Sequence, residues 1–202
     1  HINQLWENNQ LLAIEQYGSR NYCAANFQAL NKRLLLDTSR IMKRPTAVIA
    51  NDAKGCYDRV ILWTVFFTLR RLGVPFGTVK TIIDTITNLV HQVVTVYGTS
   101  TATYGGKDDR PNGLLQGSGM AAQFWAALSS ILLDAFKEAG YGATFTSAIT
   151  KMIDTIGALA FVDDTDLFET LRDHETIEDM HKRTQEGLTL WSELLEATGG
   201  AL

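Results

Sequence analysis

Ile156-Gly157-Ala158-Leu159-Ala160-Phe161-Val162-Asp163-Asp164 decides how this chain is read, together with Thr46-Ala47-Val48-Ile49-Ala50-Asn51-Asp52. Each is a short apolar run that delivers aspartate at an abrupt polar boundary, the pattern of a buried strand ending at a turn. If the two runs are neighbours in one sheet, Asp52, Asp163 and Asp164 converge. Carboxylates held that closely repel one another and resist desolvation, so they persist at a site mainly where cations offset their charge. Metal-assisted phosphoryl transfer is the chemistry to which the pattern points.

The sequence carries its own control for the Asp-Asp dipeptide. Asp108-Asp109 sits among Gly105, Gly106, Lys107, Arg110 and Pro111, with no apolar strand leading in, and reads as a polar loop. Asp163-Asp164 is aimed by an apolar run and is followed by a second strand-like segment. A plain hairpin turn, which also favours aspartate, is the competing reading of the pair. Asp52 at the end of another apolar strand favours a functional site.

Working outward, helical spacing of Cys23, Phe27, Leu30, Leu34 and Ile41 predicts an amphipathic helix from about Asn21 to Met42, ended by Pro45. Thr46 to Ile49 follows as a strand, and Asp58 is placed to cap a helix running towards Arg71. A helix over Thr78 to Leu89, a strand over His91 to Tyr97 and a hairpin or loop over Gly98 to Gly113 come next. Gly117 to Lys137 reads as a long, mostly buried helix weakened by glycine in its first turn. Ile156 to Val162 and Thr165 to Glu169 read as two strands, and His174 to Ala197 as a last helix ended by Gly199-Gly200. This order suits an α+β layer, helices on one face of a small antiparallel sheet, better than an alternating parallel fold.

The 202 residues, 46% apolar and 20% charged, suffice for one substantial core or a core domain with a smaller lobe. The formal charge of −4 argues against a generic nucleic-acid binder, but residues 1–75 hold ten Lys/Arg against five Asp/Glu, and the remainder holds eight against seventeen. Lys32, Arg33, Arg40, Lys43 and Arg44 form a basic group that either attracts a nucleic-acid backbone or is a solvated helix face. Cys23 and Cys56 fit neither a metal-ligand spacing nor a disulfide framework. Pro111 to Leu133 lacks charge over a length sufficient for a bilayer, yet Asn112, Gln116, Gln123 and several Gly and Ser residues interrupt it. A buried helix after a glycine-rich loop is the better reading, and no membrane partner is expected. The start at His1, without a secretory pattern, suggests a segment from inside a longer protein.

Against this background the motifs match a known family. Asn51-Asp52-Ala53-Lys54-Gly55-Cys56-Tyr57-Asp58 resembles the first palm motif of reverse transcriptases, with an aromatic five residues after the aspartate. Leu115-Gln116-Gly117 resembles their glutamine-glycine motif, and Phe161-Val162-Asp163-Asp164 their aromatic-x-Asp-Asp signature. Glu15-Gln16-Tyr17-Gly18-Ser19-Arg20 resembles a fingers motif of non-LTR retroelement and group II intron enzymes. Ala197-Thr198-Gly199-Gly200-Ala201-Leu202 resembles the start of the motif after the Asp-Asp hairpin. All five occur in the family's order and span nearly the whole chain.

The resemblance implies a polymerase palm with partial fingers: residues 1–45 as the partial fingers region and 46–202 as the palm, truncated before its end, with the thumb absent. It implies an RNA-directed DNA polymerase that joins dNTPs to the 3′-hydroxyl of a primer on an RNA or DNA template, using two Mg2+ ions, with Mn2+ as a substitute. Asp52, Asp163 and Asp164 would be the catalytic carboxylates and, with the Ala53 carbonyl, the metal ligands. Tyr57 would exclude a ribose 2′-hydroxyl by a steric wall; otherwise it is a core aromatic. Gln116 and Gly117 would approach nucleotide and template, Gly117 because a side chain would obstruct the backbone; a glycine-rich helix entry is the alternative. Arg20 would contact the triphosphate, or else form a salt bridge.

Two departures from the family pattern stand out. Ala121-Ala122 replaces a frequent Ser-Pro, and Phe161 replaces the commoner tyrosine. Neither removes a proposed ligand. With no thumb to grip the primer-template, the isolated chain is expected to be weak or inactive. An RNA-directed RNA polymerase is a second reading, opposed by Tyr57, and an inactive domesticated module that only binds nucleic acid or protein is a third. Oligomeric state, parent element and cellular location stay open; an intracellular site is expected, with nuclear access if the element is eukaryotic.

Overall fold

The structure, a computed structural model, describes residues 2–106, 113–115 and 117–202. At its centre β1 (Thr46–Asp52) pairs antiparallel with β7 (Asp164–Thr170), and β7 pairs antiparallel with β6 (Ala158–Phe161). The two apolar runs are therefore not direct neighbours. β7, the strand leaving the Asp163 turn, lies between them, so Asp52 meets the second run's turn through β7. The run from Ile156 is itself divided at Gly157: β5 (Ile153–Ile156) turns away to pair with β4 (Ala143–Thr146), a hairpin the sequence reading did not anticipate.

Helices cover both faces of the central sheet, not one. On one face α6 (Ala121–Glu138) brings Phe124, Trp125, Leu128, Leu132 and Phe136 onto Ala158, Ala160 and Leu167. α7 (Ile177–Ala197) adds Trp191, whose ring meets Phe136 edge to face at 5.9 Å, and Leu195. Each large side chain buried in this way contributes about 1.5–3 kcal/mol. α6 begins at Ala121 rather than Gly117, since Gly117 and Gly119 precede its first turn.

On the other face α2 (Ala25–Ile41) buries Leu35 against Leu159 and Phe168. The face predicted from spacing is the wrong one: Phe27, Leu30, Leu34 and Ile41 are exposed. Contact with the sheet runs instead through Leu35, Gln28 and Lys32, the last two bonded to Asp166. Beyond α1 (Ile2–Asn8), the remaining elements are α3 (Cys56–Arg59), α4 (Leu62–Arg71), α5 (Phe76–Thr87) and a hairpin of β2 (Val90–Thr95) with β3 (Gly98–Gly105). Asp58 lies inside α3 and caps nothing, because the chain extends at Val60 (φ −57°, ψ 129°) before α4 starts. Among the described residues no helix is long and apolar enough to cross a membrane.

α7 starts with a reciprocal cap. The Asp179 N–H donates to Thr176 Oγ1 at 3.2 Å, and the Asp179 carboxylate accepts from the Thr176 N–H at 2.9 Å. Arg183, one turn on, donates to Glu169 at 3.0 Å and to the Thr170 carbonyl at 2.7 Å, and pairs with Glu175. Burial pushes the Glu175 carboxyl up, but bonds from Arg183 and the Arg172 amide, together with both charges, bring it below its ordinary 4.5. A carboxyl depressed by folding stabilises the native state above its unfolded value and loses that contribution as pH falls through the folded one. Stability should therefore decline below about pH 4.5. Arg183→Gln should lower the melting temperature at pH 7 and flatten this acid limb, as thermal unfolding across pH 2.5–7 would reveal.

Candidate active site

Antiparallel register sets Asp52 directly opposite Asp164 at the end of the β1-β7 pair. Directly opposed residues share a face, so the two carboxylates stand side by side. Phe161 pairs with Asp164 across the other ladder, leaving Val162 and Asp163 as a two-residue hairpin turn. The three aspartates foreseen from sequence are thus gathered at one open sheet end. Asp164 is exposed, yet partial desolvation, then the charges of Asp163, Asp52 and Asp166, hold its carboxyl above the ordinary carboxylate range.

Asp166 is the acidic member that the sequence reading missed. It follows Asp164 by two on β7, hence on the same face, and is neutralised by Lys32 Nζ at 2.7 Å and Gln28 Nε2 at 3.0 Å. Alternation within Asp-Thr-Asp was the available signal. Lys32 is thereby accounted for, and Arg33, Arg40 and Arg44 also sit in ion pairs, with Asp37, Asp37 and Asp173. Arg33 and Arg40 share the one Asp37 carboxylate on an exposed face of α2, so the group still presents positive charge to solvent.

Residues 53–57 close the site from the side of the first motif. Ala53 and Cys56 are buried. Burial, the nearby Asp163 charge and a hydrogen bond from the thiol to Asp163 push the Cys56 thiol up to about 12. Tyr57, raised to about 12 by burial and by its neighbours Cys56 and Asp163, packs its ring edge-on to Trp125 at 6.4 Å. It is a packed aromatic, the second of its two sequence readings, and it lies near Asp163.

Gly113 and Leu114 dock on this segment: the Leu114 N–H donates to the Tyr57 carbonyl at 2.6 Å and the Gly113 N–H to the Val60 carbonyl at 3.1 Å. A Cβ on Gly113 would lie 2.4 Å from the Tyr57 oxygen. Gly117 is different. Its φ of 93° calls for glycine, while the space around it is open to every described residue. Gln116 and the Asp108-Asp109 loop lie outside the described residues.

Arg20 is engaged by groups of its own N-terminal segment. Its guanidinium grips Glu7 through two bonds, at 3.0 and 2.7 Å, and donates to the carbonyls of Ala13 at 2.7 Å and Gln16 at 3.1 Å. These bonds correspond to the salt-bridge reading rather than to a triphosphate contact. The motif's other residues do reach the site. Glu15 to Tyr17 lie along β6 as a parallel bridge, Gln16 opposite Ala160. The Gln16 side chain, with no exposed surface, bonds the Val162 N–H and carbonyl, both at 3.1 Å.

Hard carboxylate oxygens suit magnesium, which takes one or two carboxylates and completes its shell with water and substrate phosphates. Among the described residues no three His, Cys, Asp or Glu side chains are drawn together as a ready metal cage. An open pair of carboxylates with a third at the adjoining turn fits that partial ligation. A groove of about 570 Å³ between α2 and the β4-β5 hairpin contains none of the three aspartates.

No family model matches the chain, and no curated protein matches it. Among solved structures it is similar to telomerase from Candida albicans in complex with a TWJ fragment of telomeric RNA. The TM-score is 0.60 at 11% identity, over 99% of this chain and 32% of that one. It is also similar to apo telomerase from Candida tropicalis truncated from its C-terminal domain, with a TM-score of 0.61 at 15% identity, over 98% and 36%. The chain spans about a third of the length of these telomerase structures. At such identities the likeness shows the fold alone, an α+β arrangement of helices and small antiparallel sheets shared with these telomerase structures.

Proposed function

We propose that the chain is the palm, residues 46–202, and partial fingers, residues 1–45, of an RNA-directed DNA polymerase from a retroelement. Its substrates are dNTPs, and its partners an RNA or DNA template with a primer. The observation that carries this reading is the register that sets Asp52 opposite Asp164 with Asp163 at the adjoining turn. Asp52, Asp163, Asp164 and the Ala53 carbonyl would hold two magnesium ions, or manganese in their place. Ions bound there would activate the primer 3′-hydroxyl and stabilise the leaving pyrophosphate.

The chain's own groups do the positioning. Buried Cys56 lies beside Asp163, on the side of the first motif. Tyr57, braced by Trp125 and by Leu114 on its carbonyl, presents a wall beside the nucleotide sugar. A wall penalises only the larger substrate. Primer extension with dNTPs and rNTPs, run on a parent polymerase that carries this segment together with a thumb, tests the reading: dNTPs should be incorporated and rNTPs rejected. Tyr57→Ala should raise rNTP incorporation by about tenfold or more relative to dNTP. Equal use of both by the unaltered protein would point to the RNA polymerase reading.

The lack of a ready metal cage among the described residues favours a second reading, a module that binds nucleic acid without chemistry. Template binding unaffected by magnesium or manganese, with no extension, would support it.

A further inference from the structure

Val162 is β-branched and adopts φ 60°, a left-handed conformation that glycine usually supplies. Backbone states of this kind are disfavoured and persist only where the surroundings over-determine them. Here the surroundings are specific. Gln16 Oε1 accepts from the Val162 N–H at 3.1 Å and from the Gly18 N–H at 2.8 Å. Gln16 Nε2 donates to the Val162 carbonyl at 3.1 Å and to Ser129 Oγ at 2.8 Å. Trp125 Nε1 donates to the same carbonyl at 2.8 Å.

We propose that Gln16 is a positioning residue for the Asp163 turn: one buried carboxamide holds both backbone polar groups of Val162, and thereby fixes where Asp163 and Asp164 project. The task selects the residue type. A carboxamide joins a donor and an acceptor in one plane; glutamate would offer only acceptors and methionine neither. The clamp is anchored from behind, because Arg20 donates to the Gln16 and Ala13 carbonyls while Glu7 holds Arg20. Thus the fingers motif acts on the carboxylates through a neutral, buried residue, with its arginine as the anchor.

The functional half of this inference rests on the polymerase reading, whereas the clamp itself does not. In Gln16→Met, hydrogen exchange at the Val162 amide should accelerate about 10²-fold, while the Phe168 amide on β7 keeps its protection. In primer extension the same substitution should lower kcat about 10²-fold with KM for dNTP little changed, the signature of misplaced reacting groups. Adding Val162→Gly, which reaches positive φ unaided, should restore at least about tenfold of that loss. A role in packing alone would not be rescued by removing a side chain.

If Gln16→Met does not fold alone, Val162→Gly and the double variant Val162→Gly/Gln16→Met carry the test. They should differ in kcat by less than about tenfold; a larger gap overturns the proposal. Unchanged exchange at Val162 in a folded Gln16→Met protein overturns it as well. Should a parent polymerase that carries this segment together with a thumb show no extension at all, the polymerase reading falls, and the exchange measurement still decides the clamp.

Discussion

Asp163→Asn should reduce nucleotide addition by about 10³-fold or more, equivalent to about 4 kcal/mol of transition-state stabilisation, while the protein keeps its fold. The two halves of this expectation have separate causes. Asparagine preserves the shape of the side chain and keeps an acceptor oxygen, so the turn is not disturbed. What disappears is a negative charge beside Asp52 and Asp164. That charge is unfavourable in the unliganded protein, where Asp164 is already raised by its neighbours. Removing it relieves repulsion, so the melting temperature should hold or rise. A rate that falls while stability does not is the mark of a group retained for chemistry. Asp52→Asn should behave alike. Native extension by either variant, with a native melting curve, would remove the polymerase assignment.

Strain and repulsion coincide at this sheet end. The Asp52–Asp164 pair sets two like charges directly opposite each other, and the turn that follows puts a β-branched residue at positive φ. Neither feature helps the chain fold. Both are held by buried structure behind them: α6 through Trp125 and Ser129, and the Gln16 segment along the edge of β6. Rigid support behind an electrostatically unfavourable site is what differential stabilisation of a charged transition state needs.

How far the sequence disclosed this depends on the residue. The meeting of the three aspartates was legible because two apolar runs each end in aspartate; one run alone reads equally as a plain hairpin turn. Their exact pairing was not, since periodicity names strands without ordering them, and β7 intervenes between the two runs. The helix after Asp52 was expected to be continuous; it breaks at Val60 because the Tyr57 and Val60 carbonyls accept from Leu114 and Gly113, more than fifty residues on. The exposed stripe of α2 was mistaken for its buried face for a related reason. Gln28 and Lys32 point at Asp166, and hydrophobic spacing is blind to a helix packed partly through polar groups. In the fingers motif the charge of Arg20 drew the functional reading, while the neutral Gln16 reaches the turn.

Gly18→Ala should disable the protein through a single added methyl group. A Cβ at Gly18 would fall 2.2 Å from the backbone nitrogen of Val162 and 2.7 Å from its Cα, with the Val162 Cγ2 at 2.6 Å. Two of these three atoms belong to the main chain of the Asp163 turn, so no rotamer change clears the clash. Either the Gln16–Gly18 segment lifts from β6, breaking the bonds of Gln16 to Val162, or the turn moves and carries Asp163 with it. Overpacking of this kind costs about 2 kcal/mol or more, and a displacement near 1 Å at the reacting groups costs about 10²-fold in rate. Thermal unfolding and primer extension measured together separate the two routes. If the segment lifts, hydrogen exchange at the Tyr17 amide, bonded to the Ala160 carbonyl at 2.8 Å, should rise along with the loss of rate; if the turn moves, Tyr17 stays protected and only Val162 is released. Native stability and rate in Gly18→Ala would mean that this segment does not pack against the turn at all, and the arrangement of the site would have to be redrawn.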